Sequence, residues 1–171
     1  MGEPKSYENF PIWMAILSNF VAISTYLIGA YVLVGFGILA VALYLLYCLW
    51  IEIRVLRGSC IDCYYYGKVC GLGKGKLSAL LFKRGDPRKF VEQEVSWFSV
   101  LPDFMAVIFP VVGGIILLVI VFNWLLVGIL AILGGLYFGG SAVIRGSFAC
   151  KYCKQREIGC PAAKLFMKEQ K

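Results

Sequence analysis

The sequence predicts an all-α membrane protein in which four transmembrane helices form two parallel-repeat helical hairpins, each followed by a cytoplasmic Cys-rich segment. Three observations predict this class. Of the 171 residues, 60% are hydrophobic and only 16% are charged, whereas soluble domains are about 45–50% apolar and about 25% charged. Two long stretches carry no charge, and matching cysteine motifs follow them. The composition excludes a soluble enzyme, a disordered tail and a coiled coil.

The two uncharged stretches cover residues 9–51 and 104–144. One transmembrane helix needs about 20 apolar residues to cross about 30 Å of hydrocarbon, so each stretch contains two crossings. Glycines place the first turn at residues 29–35, and an amide next to an amphipathic ring places the second near Asn123 and Trp124. The predicted transmembrane helices are 10–29, 33–55, 102–122 and 125–144.

The placement of charge predicts the orientation. The chain has 17 Lys and Arg residues against 10 Asp and Glu, a net charge of +7. The basic residues occur at Lys5, between 54 and 89, and between 145 and 171, whereas the turns on the opposite side carry none. Since positive charge concentrates on cytoplasmic loops, we expect both termini and both cysteine segments to be cytoplasmic. The expected partners are the lipid bilayer and its anionic headgroups at this basic face, with no nucleic acid.

The two halves of the chain resemble each other. Each hairpin is followed by Arg-Gly-Ser, at residues 57–59 and 145–147, and then by a C-x2-C-x6-C triplet. Each unit has an even number of crossings, so the copies would share one orientation and be related by an axis along the membrane normal. The sequence therefore predicts a single integral-membrane domain, 1–171, made of two repeats. Repeat 1 covers 10–98, with a triplet at 60–70 and an interfacial segment at 77–98; repeat 2 covers 99–171, with a triplet at 150–160 and a short tail.

The six triplet cysteines are the candidate metal ligands. The chain has no histidine, so thiolates are its only strong ligands for soft metals. Paired cysteines in a cytosolic segment indicate metal binding or redox chemistry more than structural disulfides, and neighbouring lysines favour the thiolate form. Zinc is the first choice, because two symmetric triplets suit two tetrahedral ions; an iron–sulfur cluster is the alternative. The predicted ligands are Cys60, Cys63, Cys70, Cys150, Cys153 and Cys160.

Several arrangements satisfy this spacing. All six thiolates can share two metals; each half is then similar to the fungal binuclear zinc cluster, which also uses two C-x2-C-x6-C halves, a resemblance limited to the cysteines and not extended to DNA binding. Alternatively, the first two cysteines of each triplet form one four-cysteine site. A third arrangement is an iron–sulfur cluster, with Cys160-Pro161 similar to the Cys-Pro that closes ferredoxin motifs. Disulfides and unligated thiols remain further alternatives.

The metal centre predicts a structural or metal- and redox-sensing role, with no catalytic residue assigned. One alternative function is an iron–sulfur electron-transfer membrane subunit. Another is a small membrane enzyme acting on lipid or thiol substrates through Glu92, Glu94, Asp103 or a free cysteine. Glycine pairs in the helices allow close packing within the bundle, in a homodimer or against a partner membrane subunit.

Three other features have simpler interpretations. Cys48, inside the second helix, is expected to pack as a small apolar side chain. The glycine- and lysine-rich segment 71–76 lacks the P-loop arrangement and is interpreted as a flexible loop near lipid headgroups. The tyrosines at 64–66 are interpreted as part of an aromatic belt.

The orientation can be tested with fusion reporters in a bacterial host. We expect green fluorescent protein fused after Lys171 to fluoresce, because the basic face stays in the cytoplasm. Alkaline phosphatase fused after Asn123 should be active, because that turn faces the periplasm. The reverse pattern of activities would contradict the predicted orientation.

Overall fold

The computed structural model describes residues 6–93 and 97–161, and every regular element in these ranges is helical. Four helices in these ranges are long and apolar enough to span a membrane, which confirms the predicted all-helical class and the predicted number of candidate spans for the described residues. The short tail after 161 and Glu94, in the interfacial segment, lie outside the described residues. The four spans are Ile12–Phe36, Ile38–Cys60, Phe98–Ile120 and Trp124–Ala149.

Seven α-helices, one 3₁₀ helix (Val34–Phe36) and three π-helical segments make up these spans and the connections between them in the described ranges. Arg-Gly-Ser occurs in two of the π-helical segments, Leu56–Cys60 and Val143–Ala149, where it leads into each cysteine triplet. The third π-helical segment is Gly135–Gly140. The α-helices are α1 (Ile12–Leu33), α2 (Ile38–Val55), α3 (Lys74–Leu81), α4 (Pro87–Glu92), α5 (Trp97–Ile120), α6 (Trp124–Gly134) and α7 (Lys154–Gly159).

The two turns between spans differ in how well the sequence locates them. The first turn ends at Gly37, whose φ of 95° favours glycine, and so lies beyond most of the predicted segment 29–35. Gly29 instead lies inside α1, where a side chain would collide with the Tyr44 ring and Pro110. The second turn lies where predicted, since the Asn123 side chain accepts a hydrogen bond of 2.9 Å from the Leu125 backbone N–H and caps α6.

Helix α5 contains two prolines and begins at Trp97, earlier than the predicted residue 102. Proline has no N–H, so Pro110 leaves the carbonyl of Ala106, four residues earlier, without its helical donor. The Tyr44 hydroxyl of α2 donates to that carbonyl at 2.9 Å. Within a bilayer, no water is available to donate a hydrogen bond to the freed carbonyl. A side-chain donor such as this one allows a proline inside a spanning helix.

The first and third spans form the centre of the bundle. Helix α1 packs against α2, α5 and α6, and α5 packs against α1, α2 and α6. Two adjacent glycines of α5 allow this approach: Gly113 lies against Leu33 of α1, and Gly114 lies against Val32 of α1 and Leu130 of α6. Cys48 is buried with Ala30 and Tyr44 in the α1–α2 contact, as expected for a small apolar side chain.

Replacing Tyr44 by phenylalanine tests the role of its hydroxyl. We expect Tyr44→Phe to lower the free energy of unfolding in mixed micelles by about 1 kcal/mol, because the Ala106 carbonyl loses its donor. Tyr31→Phe is the matched control, since Tyr31 is on the same bundle but 60% exposed. Equal unfolding free energies for the two variants would contradict this role.

Candidate metal centre

The residues around both cysteine triplets pack together at one end of the bundle, in a unit that we call the cysteine cap (residues 6–11, 60–85 and 148–161). The N-terminal segment joins the other two segments. The Tyr7 N–H donates to the Tyr152 carbonyl at 3.0 Å, and the Phe10 N–H donates to the Val69 carbonyl at 2.9 Å. Phe10 is also buried against Met14 and Tyr65. The two triplets, distant in sequence, are thus neighbours in the fold.

The hydroxyl of Tyr65 lies at the junction of the three segments. It donates to the Tyr7 carbonyl at 2.5 Å and accepts a hydrogen bond of 2.9 Å from the Lys154 N–H. Tyr65 is only 2% exposed, so these two bonds have no competition from bulk water. A tyrosine interpreted as part of an aromatic belt therefore forms the core of the cysteine cap.

A second set of contacts joins the triplets directly. The Tyr64 N–H donates to the side-chain oxygen of Gln155 at 2.7 Å, and the Gln155 amide donates to the Gly159 carbonyl at 3.1 Å. Two ammonium groups lie over the ring of Tyr64, that of Lys68 at 4.1 Å and that of Lys154 at 5.5 Å from its centroid. These cations come from different triplets, so the Tyr64 ring links them.

The first triplet is shaped by tight turns. Gly67 and Gly73 have φ values of 76° and 74°, and a side chain at Gly75 would collide with the carbonyls of Tyr65 and Lys68. The Cys70 sulfur accepts the backbone N–H groups of Lys74 at 3.2 Å and Gly75 at 3.3 Å. These two hydrogen bonds join the Cys70 side chain to the first turn of α3.

The second triplet has the same spacing but a different conformation. Cys153 precedes α7, and Cys160 follows it, so the six residues between them are helical. The corresponding residues of the first triplet form turns. Gly159, with a φ of 131°, provides the bend before the third cysteine.

The thiols of the two triplets influence each other. Burial raises the pKa of Cys63 to about 11, although backbone N–H groups of Tyr65 and Tyr64 oppose this effect; the thiols of Cys70 and Cys160 raise it further. Burial likewise raises the pKa of Cys153 to about 12, with Cys63 among the contributing neighbours. Cys63 therefore has electrostatic neighbours in both triplets, which lie close together in the cysteine cap.

The sulfurs do not converge on one point. Within the described ranges, no three Cys, Asp or Glu side chains are grouped closely enough to hold one metal ion. All seven cysteines lie within these ranges, and all are free thiols. The structure thus places the six predicted ligands in one cap, without assembling a coordination sphere and without disulfides.

Two of the three carboxylates of the enzyme alternative lie on different helices. Glu92 is exposed on α4. Asp103 lies in α5, where its charged neighbours are Arg145, Arg54, Lys74 and Glu52. The third, Glu94, lies outside the described residues.

Comparisons with protein-family models, with curated proteins and with solved structures find no match to this chain.

Three residues of the cysteine cap have no recognisable signal in the sequence. Tyr7, Tyr65 and Gln155 act through hydrogen bonds to groups that are distant in the sequence. The one available hint is that Tyr65 lies inside a cysteine triplet, where an aromatic residue has little reason to face lipid. The sequence also gives no sign of the contacts of Glu52, because this residue directly follows the uncharged stretch and looks like its end.

Replacing Tyr65 by phenylalanine tests the junction. We expect Tyr65→Phe to leave two partly buried backbone groups, the Tyr7 carbonyl and the Lys154 N–H, without this partner, a loss of about 1–3 kcal/mol. Alkylation of Cys153, followed by peptide mass spectrometry, should then be at least about tenfold faster, which corresponds to about 1.4 kcal/mol.

The matched control is Tyr66→Phe. The Tyr66 hydroxyl donates to the Phe82 carbonyl at 2.7 Å, a contact that does not involve the second triplet. We expect this variant to leave the alkylation rate of Cys153 unchanged. An unchanged rate in Tyr65→Phe as well would show that the cysteine cap does not depend on this hydroxyl.

Proposed function

We propose that the protein is a polytopic membrane protein whose six triplet cysteines bind metal in a cytoplasmic centre, with a structural or metal- and redox-sensing role. One observation carries the proposal: hydrogen bonds join the two triplets directly, from the Lys154 N–H to the Tyr65 hydroxyl and from the Tyr64 N–H to the Gln155 side chain. Six thiols in one small cap, with no histidine available, form a donor set for a soft metal.

Backbone donors support this chemistry. The N–H groups of Lys74 and Gly75 are directed at the Cys70 sulfur, and neighbouring backbone N–H groups act to lower the pKa of Cys63 and Cys153. Burial opposes loss of the thiol protons, and a metal ion overcomes that cost by replacing the protons with its own charge. Binding then requires the side chains to rotate from neighbouring positions onto a shared ion. Zinc is our first choice, because it tolerates tetrahedral thiolate sites without redox chemistry.

Helix packing supports a pseudo-twofold arrangement of the two proposed repeats. The pairs α1–α2 and α5–α6 are the two hairpins; α1–α6 and α2–α5 are their equivalent contacts across the axis, with α1–α5 at its centre. Arg-Gly-Ser is π-helical in both halves. We propose that the metal ties together the two triplets that this axis brings to the same face. A metal in this position stabilises the bundle from its basic end.

The surroundings of the centre support contact with the membrane surface. On α3, Leu80 is 81% exposed, and the exposed Lys76 lies on the same short helix. Leucines directed outward beside lysines suit an interfacial helix among anionic headgroups.

We also propose a homodimer or a partner membrane subunit against the fourth span, where Gly135 and Gly139 have open space beside them.

Metal analysis of protein purified anaerobically in detergent tests the proposal. We expect about one or two zinc ions per chain, and lower thermal stability after chelation, because the metal links distant segments. The double variant Cys63→Ser/Cys153→Ser should lose most of the metal. Cys48→Ala is the matched control, since Cys48 is buried in the spanning bundle, and it should keep its metal.

The result of the metal analysis distinguishes the zinc centre from the iron–sulfur alternative and from a protein without metal. Iron with a visible absorption band that dithionite bleaches reversibly would favour the electron-transfer subunit. A colourless, metal-free and stably folded protein would overturn the metal centre altogether.

A further inference from the structure

The segment from Gly71 to Gly75, which joins the first triplet to α3, lies against the spanning helices. The Ser18 hydroxyl of α1 donates to the Gly71 carbonyl at 2.7 Å, in a buried contact. At Gly73, a side chain would collide with Asn19 and approach the Ala15 carbonyl. The segment expected to be a flexible loop is therefore held in the α1–α2 part of the bundle.

Lys74 carries a charge into this region and meets a carboxylate of the second span. Its ammonium nitrogen lies 2.6 Å from Glu52 Oε2, and the two side chains are only 18% and 25% exposed. The Tyr26 hydroxyl of α1 donates to Glu52 Oε1 at 2.9 Å. Limited access to water strengthens such an ion pair, and both carboxylate oxygens have partners. Glu52 thus holds α1, α2 and the start of α3 together.

The backbone of the same lysine contacts a candidate metal ligand. The Lys74 and Gly75 N–H groups donate to the Cys70 sulfur. Their direction depends on where the first turn of α3 lies, and the Lys74 side chain anchors that turn to Glu52. The orientation of the donors to Cys70 is therefore determined within the membrane-spanning bundle.

We infer that Glu52 is a positioning residue for Cys70: by holding Lys74, it directs the first N–H groups of α3 at the sulfur and so couples metal binding to the α1–α2 pair. The inference rests on the proposed metal centre. Since coupling between two sites is reciprocal, metal bound at Cys70 strengthens the Lys74–Glu52 contact to the same extent. The cysteine cap and the spanning helices then respond to metal as one unit.

Cobalt(II) titration of the full-length protein in detergent tests the inference, because thiolate–cobalt bonds absorb in the near-ultraviolet. We expect Glu52→Gln to weaken cobalt binding about 10- to 100-fold, the usual effect of removing an outer partner of a metal ligand. We expect Lys74→Met to weaken cobalt binding as well, whereas Lys74→Arg, which keeps the positive charge, should retain most of the wild-type affinity. Glu92→Gln is the matched control, since Glu92 is exposed on α4, and its affinity should equal that of the wild type.

A second background distinguishes positioning from general stability. In Cys70→Ser, the added change Glu52→Gln should have no further effect on cobalt affinity, because its action passes through Cys70. An additional loss of similar size in that background would overturn the inference. If Glu52→Gln does not fold, Tyr26→Phe takes its place: weaker cobalt binding supports the inference, and wild-type affinity overturns it.

The two proposals fail in distinguishable ways. A wild-type protein that binds no cobalt or zinc overturns the metal centre and the inference with it. A wild-type protein that binds cobalt, with Glu52→Gln binding equally well, overturns only the role of Glu52.

Discussion

The Tyr65 hydroxyl is the contact on which the cysteine cap depends. It bonds a carbonyl of the N-terminal segment and an N–H of the second triplet, while its own backbone belongs to the first triplet. A buried backbone group without a partner costs about 1–3 kcal/mol, so each of the three segments stabilises the position of the others. The proximity of the two sets of thiols, and any chemistry that they share, follows from this arrangement.

The spanning helices obey the same requirement in a drier environment. Where proline removes a helical donor, or a connecting segment enters the bundle, a side-chain hydroxyl donates to the carbonyl that lacks a backbone partner. Tyr44 does this for Ala106, and Ser18 does it for Gly71. Close approach makes such contacts possible, since Gly29 leaves room for the Tyr44 ring. Hydroxyls thus stabilise both the bundle and its junction with the cysteine cap.

The sequence was sufficient for the features that depend on composition and period. Four spans follow from apolar length, and the second turn follows from the Asn123 amide. The predicted position of the first turn differs from the observed one because a glycine can serve two purposes. Gly29 provides space for packing inside α1, whereas Gly37 provides the positive φ of the turn. The partners of Tyr65 and Glu52 depend on tertiary geometry, which no local pattern encodes. The six triplet cysteines stay a predicted donor set, because spacing alone does not specify where each sulfur points.

The π-helical segment Leu56–Cys60 sets the direction in which the first triplet leaves α2. A π-turn accommodates one residue more than an α-turn over the same hydrogen-bonded loop, and each residue advances an α-helix by about 100°. A change of this segment to α-helical pairing would therefore swing Cys60 around the axis of α2 by roughly that angle. The π-turn therefore sets the side of the α2 axis on which Cys60 lies, with Cys70 and Cys63 as its thiol neighbours.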